Sequence, residues 1–389
     1  MPSTALTPRE IVRRILHYEG TRPMPVVHFG FWTDTVQVWA DQGHITREQA
    51  NGWGDNNEHD RAIGDMLGFD FNWLSCFSPN CHLWPCFQPE LIRTLPDGSR
   101  HVRTHEGVVQ LERDEAGSIH AEIEHLLVDR ASWEEHYKPR LQFTPERVDN
   151  VPVLTDEGWK PFAQGGAEYL RSGRRQHHLG LHPGSMIGYL RNFAGVTGLA
   201  YIGADDEDLL DEMIQTIGDL SYACTERALA SGAQFDFLHF WEDICYKNGP
   251  LVTPTMFAEK IVPQYRRITQ LAARHGLDIV SVDCDGKLDA LVPLWLEAGV
   301  NTMFPIEVGT WHASIEPWRA QYGRELRGVG GMDKRVLAAD HAAVDREVER
   351  LRRLVDLGGY IPCPDHRLAP DAKWENVQHY CERMRAAFA

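Results

Sequence analysis

Hydrophobic and polar positions along this chain follow two rhythms that take turns. Short apolar runs rich in β-branched and aromatic residues, bounded by Gly, Pro, Asp or Asn, read as buried strands. There are eight: Pro25–Phe31, Phe69–Leu74, His177–His182, Phe235–Phe240, Asp278–Asp283, Asn301–Ile306, Leu326–Gly331 and Gly359–Cys363. Between most of them, apolar residues recur three and four apart. That period predicts helices over Glu207–Ala230, Thr255–His275, Leu288–Ala298, His341–Asp356 and Ala372–Ala387, with Val344, Val348, Leu351 and Leu354 marking one apolar face. Strand alternating with helix predicts an α/β fold, a parallel sheet closed into a TIM (β/α)8 barrel as a single domain over 1–389. An open doubly wound sheet would alternate in the same way; the count of eight favours closure.

One stretch breaks the rhythm. Between 90 and 129, period-two segments are separated by turn signals at Pro96-Asp97-Gly98 and Glu115-Ala116-Gly117. This predicts a small antiparallel β-meander inserted after the second strand and covering one end of the barrel, with a solvated outer face.

Charge and cysteine usage narrow the classes. The 389 residues include 39 basic and 56 acidic side chains, a formal charge of −17. That disfavours nonspecific binding to nucleic acid or anionic membranes. No apolar stretch of about 18 residues occurs, so no membrane span is expected. The N-terminus reads as a helix capped at Thr7-Pro8 rather than a secretion signal, and the expected compartment is the cytoplasm. The eight cysteines form no CxxC pair, and Cys76, Cys81 and Cys86, five apart, lack a zinc spacing. Reduced thiols are expected.

Candidate chemistry gathers where the predicted strands end, the side on which barrel active sites are built. The first strand brings His28, Phe31 and Trp32. The third ends in His182-Pro183-Gly184-Ser185, a turn into a helix N-terminus whose free amides suit an anion. The fourth brings His239, Trp241, Glu242 and Asp243, and the fifth Asp283, Cys284 and Asp285. Glu307 follows the sixth, Asp333 and Lys334 the seventh, and Cys363, Asp365 and His366 the eighth. This set suits a divalent metal with N and O ligands, zinc foremost, and equally a metal-free acid/base pocket. Each His taken alone is more often structural. Trp32, Trp241 and Trp311 would wall an aromatic substrate or simply fill the core.

Four stretches carry a family resemblance: EDICYKNGPLVTPTMF, DCDGKLDALVPLWLEAGVN, GVGGMDKRVLA and GGYIPCPDHRLAPDAKWENVQHY. In this order and spacing the chain resembles the uroporphyrinogen decarboxylase superfamily, on the branch related to cobalamin-dependent methyltransferases. The resemblance implies a TIM barrel and a homodimer. It further implies a metal-dependent transfer of a methyl group from a small methoxylated donor to a corrinoid carrier protein. Methyltransferases of the family bind zinc through a His-x-Cys-Gly motif after strand five and a late Cys. Here those positions read Asp283-Cys284-Asp285-Gly286 and His366, so the resemblance implies Asp283, Asp285 and His366 as ligands of zinc or another divalent ion. Cys284 and Cys363 remain alternatives under a shift of register. His239, Glu242 and Glu307 are the catalytic candidates, with His28, Phe31, Trp32, His182 and Trp241 lining the substrate pocket. The family's decarboxylases carry an early Arg-rich motif and an Asp at the second strand end. HFGFWTDTV and FNWLSCFSP have neither, which argues against uroporphyrinogen itself. The second hypothesis is a decarboxylase or lyase on a small carboxylated substrate, with Arg171, Arg174 and Arg175 as candidates to grip it, although an exposed helix end is the more ordinary place for them. A third is a barrel that only binds a ligand.

Overall fold

The computed structural model of the protein describes residues 6–113 and 120–389. Nine short parallel strands form its frame: β1 Val27–His28, β2 Phe71–Asn72, β3 Cys76–Phe77, β4 Gly180–Leu181, β5 Phe237–Trp241, β6 Val280–Asp283, β7 Thr302–Phe304, β8 Arg327–Met332 and β9 Tyr360–Pro364. Strands β3 to β9 make one seven-stranded parallel sheet in chain order, and β1 pairs with β2 in a separate parallel pair. A parallel bridge between Phe31 and Leu368 ties the chain after β1 to the chain after β9. Every residue of β6, β7 and β9 is buried, as expected of parallel strands covered on both faces.

The first six predicted strands are present but shorter than their apolar runs, because the runs continue into loops that pack without joining the ladder. The last two keep their predicted lengths and shift by one residue, to Arg327–Met332 and Tyr360–Pro364. The second differs in kind. Only Phe71–Asn72 of the predicted run pairs, with β1; after Trp73–Ser75 a further strand beyond the run, Cys76–Phe77, pairs with β4. Two helices have the predicted bounds, Glu207–Ala230 and His341–Asp356, and each is started by an aspartate: Asp206 accepts from Leu209 N and Asp340 from Ala343 N. The stretch predicted as Thr255–His275 is a short helix at Pro254, a π turn over Phe257–Ile261 and a helix over Val262–Arg274. Leu288–Ala298 shortens to Val292–Glu297, and the last helix begins at Trp374. The Thr7 capping box starts the first helix, Pro8–Leu16.

Between β3 and β4 lies a four-stranded antiparallel sheet, Glu90–Thr94, Arg100–Arg103, Val108–Glu112 and Ala121–His125, its strands neighbouring in chain order. At its first turn Asp97 Oδ1 accepts from Ser99 N at 3.0 Å; the predicted turn at Glu115–Gly117 lies outside the described residues. The sheet rests on the helix Gly188–Asp205, with His125 Nδ1 3.2 Å from the Phe193 carbonyl. Two hairpins were not anticipated: Pro152–Thr155 with Gly158–Pro161, and Cys245–Tyr246 with Gly249–Pro250. Among the described residues no helix is long and apolar enough to cross a membrane.

Candidate metal centre at the strand ends

The centre is assembled by the ends of β5 and β6. Their register places Trp241 opposite Asp283, and Glu242 N donates to the Asp283 carbonyl at 2.9 Å. Alternation along β6 turns Ser281 and Asp283 to one face. Just beyond, Gly286 has φ +86°, and a Cβ there would stand 2.4 Å from the Cys245 carbonyl oxygen. Only glycine passes this point, and the turn it makes brings Asp285 back over the strand end. Asp243 is itself held at φ +47°, and its Oδ1 accepts from Asp285 N at 3.0 Å. The carboxylates of Asp243, Asp283 and Asp285 thus converge, with ligand oxygens all within 4.8 Å of one another. His366, beyond β9, joins them with Nε2 3.0 Å from Asp285 Oδ2. Its ring lies against Trp32 (centroids 5.2 Å, 21° between planes) and Phe29 (5.3 Å).

Such crowding raises the carboxyl pKa values. Burial, then the Asp285 charge, pushes Asp243 up to about 7. Burial and the Asp243 and Asp285 charges push Asp283 well above the carboxylate range. Glu307 is also raised, by burial first and Asp285 next. It receives hydrogen bonds from Gly286 N at 2.5 Å and Thr310 Oγ1 at 2.7 Å, which places it at the edge of the centre. Lys334, whose pKa burial lowers, donates from Nζ to the Arg367 carbonyl at 2.7 Å. Arg367 pairs with Asp55 at 2.6 Å.

The other candidates fall in three places. Glu242 is fully buried and turned away from the centre: its oxygens accept from Ser185 Oγ, the Met186, Ile187 and Gly188 amides and Tyr265 Oη. It fills the helix N-terminus that the sequence offered to an external anion. Trp241 lies 5.8 Å from Tyr189, with the Arg191 guanidinium over its face, and Trp32 covers His366. His239 and His182 are packed together below the mouth. His182 Nδ1 is 2.6 Å from the His239 carbonyl, and His239 Nδ1 is 3.1 Å from Ser281 Oγ while its Nε2 is buried without a partner. Burial, helped by His182, lowers the His239 pKa to about 3, so the ring is neutral. His28 and Phe31 stand elsewhere. They stack on each other, Phe31 packing into Trp39 and Trp53 and His28 against Phe69.

Neither thiol joins the carboxylates. Cys284 is fully buried beside Cys245, and Cys363 is fully buried in β9. Arg171, Arg174 and Arg175 precede β4 and so lie at the opposite ends of the strands. Each is engaged there: Arg171 with the Ser231 carbonyl, Arg174 with Asp156 at 2.9 Å, Arg175 with Asp236 at 2.6 Å. They do not face the centre. Asp243 is the member that sequence reasoning left out of the ligand set.

Residues 183–387 match the family described as uroporphyrinogen decarboxylase (URO-D), just over half of the chain. The protein belongs to the URO-D family. Strands β5 to β9 and every residue of the centre lie inside the URO-D match, whereas β1 to β4 and the antiparallel sheet precede it. Among solved structures, a methyltransferase from Methanosarcina mazei superposes on the whole fold, with a TM-score of 0.58 at 12% identity over 99% of this chain and 100% of that one. A B12-independent methionine synthase from a Shewanella species overlaps in part, with a TM-score of 0.33 at 12% identity over 46% of this chain and 56% of its own. No curated protein matches in sequence.

Proposed function

We propose that this URO-D family protein is a metal-dependent methyltransferase. It would move a methyl group from a small methoxylated aromatic compound to a corrinoid carried by a partner protein. We take its parallel strands to form one closed (β/α)8 barrel, joined at Phe31 and Leu368, with the antiparallel sheet as an insertion. The observation that carries the reading is the convergence of Asp243, Asp283 and Asp285, with His366 hydrogen-bonded to the last, at the C-terminal ends of the strands. The fold shared with the Methanosarcina mazei methyltransferase supports the reaction class.

The donor set fits a divalent ion. Asp285 Oδ1 and His366 Nδ1 are buried without hydrogen-bond partners, and three carboxylates packed this closely repel one another until a cation joins them. Oxygen and imidazole donors, with both thiols turned aside, suit zinc and also harder ions such as Mn²⁺. When bound, the ion would supply Lewis-acid charge for the oxygen that leaves the methyl group. Glu307, its pKa raised by burial and the Asp285 charge, would stand at the edge of the centre as the general acid for that oxygen. Trp32 and Trp241 wall an aromatic ring at the mouth, and His182 borders it from below. On transfer the C–O bond would break with its electron pair left on oxygen, and the corrinoid of the partner protein would take up the methyl group.

Elemental analysis of protein purified without chelator or tag-derived metal tests the centre, and methylation of cob(I)alamin by methoxylated aromatics, followed by absorbance, tests the reaction. About one divalent ion per chain is expected, falling to near zero in Asp285→Ala and His366→Ala. Wild-type protein without stoichiometric metal, or variants that keep it, would sink the assignment.

A further inference from the structure

We propose a second small-molecule site beside the metal centre, for a slender apolar carboxylate such as a medium-chain fatty acid. The helix Gly188–Asp205 supplies one wall. It is kinked at Gly195, whose φ of +68° and ψ of 162° lie outside the helical range. Beyond the kink, Val196, Leu199, Ala200 and Gly203 recur three and four apart on one face. An apolar face of this kind normally packs on a neighbour. Here Val196 and Ala200 stay exposed, and the small Ala200 and Gly203 leave space before the opposite wall of Leu251, Val252 and Met256. The cavity between the walls measures about 420 Å³, within the range of about 300–1,000 Å³ usual for ligand pockets. Ile244, next in the chain to Asp243, also lines it, so the cavity lies against the metal centre.

The open charge of this cavity belongs to Arg191. It stands one turn before the kink, half-buried, and is part of the lining. Its guanidinium lies over the Trp241 ring at 5.8 Å, and its charge acts on Asp243 without ion-pair contact. Among the described residues it makes no hydrogen bond or ion pair, and its Nε is buried without a partner. A guanidinium carries five donors, and contact with a ring face satisfies none of them. A ligand carboxylate would take two in a fork. The other cation of the lining, Lys260, is already neutralised by Glu207 at 2.9 Å and by Asp211, and Glu259 adds further negative charge beside it. The head group therefore belongs at Arg191, with the tail along the helix face toward Gly203. Twelve residues of helix separate the two, at most about 18 Å, which accommodates an eight-carbon chain. The site rests on Arg191 and the apolar walls, not on the carboxylates, so it stands whether or not the centre transfers a methyl group.

The test is isothermal titration calorimetry of the full-length protein with octanoate, and with octan-1-ol as the same chain without the charge. We expect saturable binding of octanoate with a Kd of about 0.1 mM, and octanol about ten-fold weaker. Arg191→Met keeps an unbranched side chain and should weaken octanoate to the level of octanol, whose own binding should not change. Ala200→Trp, on the exposed helix face, should abolish both by filling the cavity. If one of these variants fails to fold, the other decides together with the octanol comparison. Asp285→Ala, which removes a metal ligand, should bind octanoate as the wild type does. No saturation by octanoate, equal binding of the two ligands in the wild type, or full octanoate affinity in Arg191→Met would each overturn the proposal. Loss of octanoate binding in Asp285→Ala would overturn it too, by showing that the carboxylate is held at the metal centre.

Discussion

Glu242 and Asp243 are neighbours in the chain with opposite tasks. Glu242 concentrates five donors on one carboxylate at a helix N-terminus, where negative charge is favoured. Glu242→Ala leaves those donors buried and unpaired, so urea unfolding should show a loss of about 3–5 kcal/mol; a loss under 1 kcal/mol would mean that the helix start does not depend on it. Asp243 instead turns back to the centre at φ +47°. Which of two adjacent acids faces the mouth depends on that backbone angle, set by the packed turn, and the letters Glu-Asp carry no trace of it. The position of the arginines was readable: residues before a parallel strand lie at its N-terminal end, so 171–175 lie away from the carboxylates. His178 gives a pH prediction. Burial lowers its folded pKa to about 4, against about 6.5 when unfolded. Below pH 6.5 the unfolded chain binds a proton that the folded chain refuses, so stability falls as pH drops from 6.5 to 4 and is unaffected above. The loss approaches about 3 kcal/mol at pH 4. His178→Phe should remove that part of the slope, read as the difference between variant and wild-type denaturation curves across this range.

Elements differ in how openly they are written. The helices Glu207–Ala230 and His341–Asp356 are legible to the residue because an aspartate cap and a long apolar period agree. Strands are legible in order, and the last two in length, but the others are overextended because burial continues past the last ladder bond, and the extra strand Cys76–Phe77 is not announced. The break at Trp73–Ser75 is invisible because no Gly or Pro marks it between Phe69 and Phe77 and the change of partner is a tertiary event. The loop after β6 lies between these cases: its Asp-Cys-Asp-Gly letters announce a turn, but the reason for the glycine is the Cys245 carbonyl across from it. Gly286→Ala would force a Cβ onto that oxygen and strain a positive φ, at a cost of about 1–3 kcal/mol. The turn should open and move Asp285 away from Asp243 and His366. The expected result is a folded protein, by near-ultraviolet circular dichroism, that retains less than about a tenth of the wild-type metal after dialysis. Full metal occupancy in this variant would mean that the turn does not set the ligand geometry.

At the scale of the whole molecule, the family match and the folding unit do not coincide. The segment 183–387 contains the centre, yet its sheet is completed by what comes before. β4 covers one edge of β5, and β1 with its following bridge covers the far side of β9. The ends of the chain are fastened to each other as well. Met24 N donates to the Phe388 carbonyl at 3.0 Å, Thr35 Oγ1 to the Leu368 carbonyl at 2.7 Å, and Trp39 Nε1 to the Ala372 carbonyl at 3.0 Å. Arg327 Nε reaches the Leu16 carbonyl at 2.6 Å. A fragment of residues 183–389 would expose two open strand edges and the apolar faces that pack on Trp39 and Trp73, and exposed edges of this kind invite aggregation. We therefore expect the full chain to unfold in one cooperative transition. The fragment should be aggregated, or compact with neither a near-ultraviolet signal nor a sigmoidal urea curve. A fragment that unfolds cooperatively would place the folding unit inside the family match. The first 182 residues would then be an addition to the wall rather than part of it.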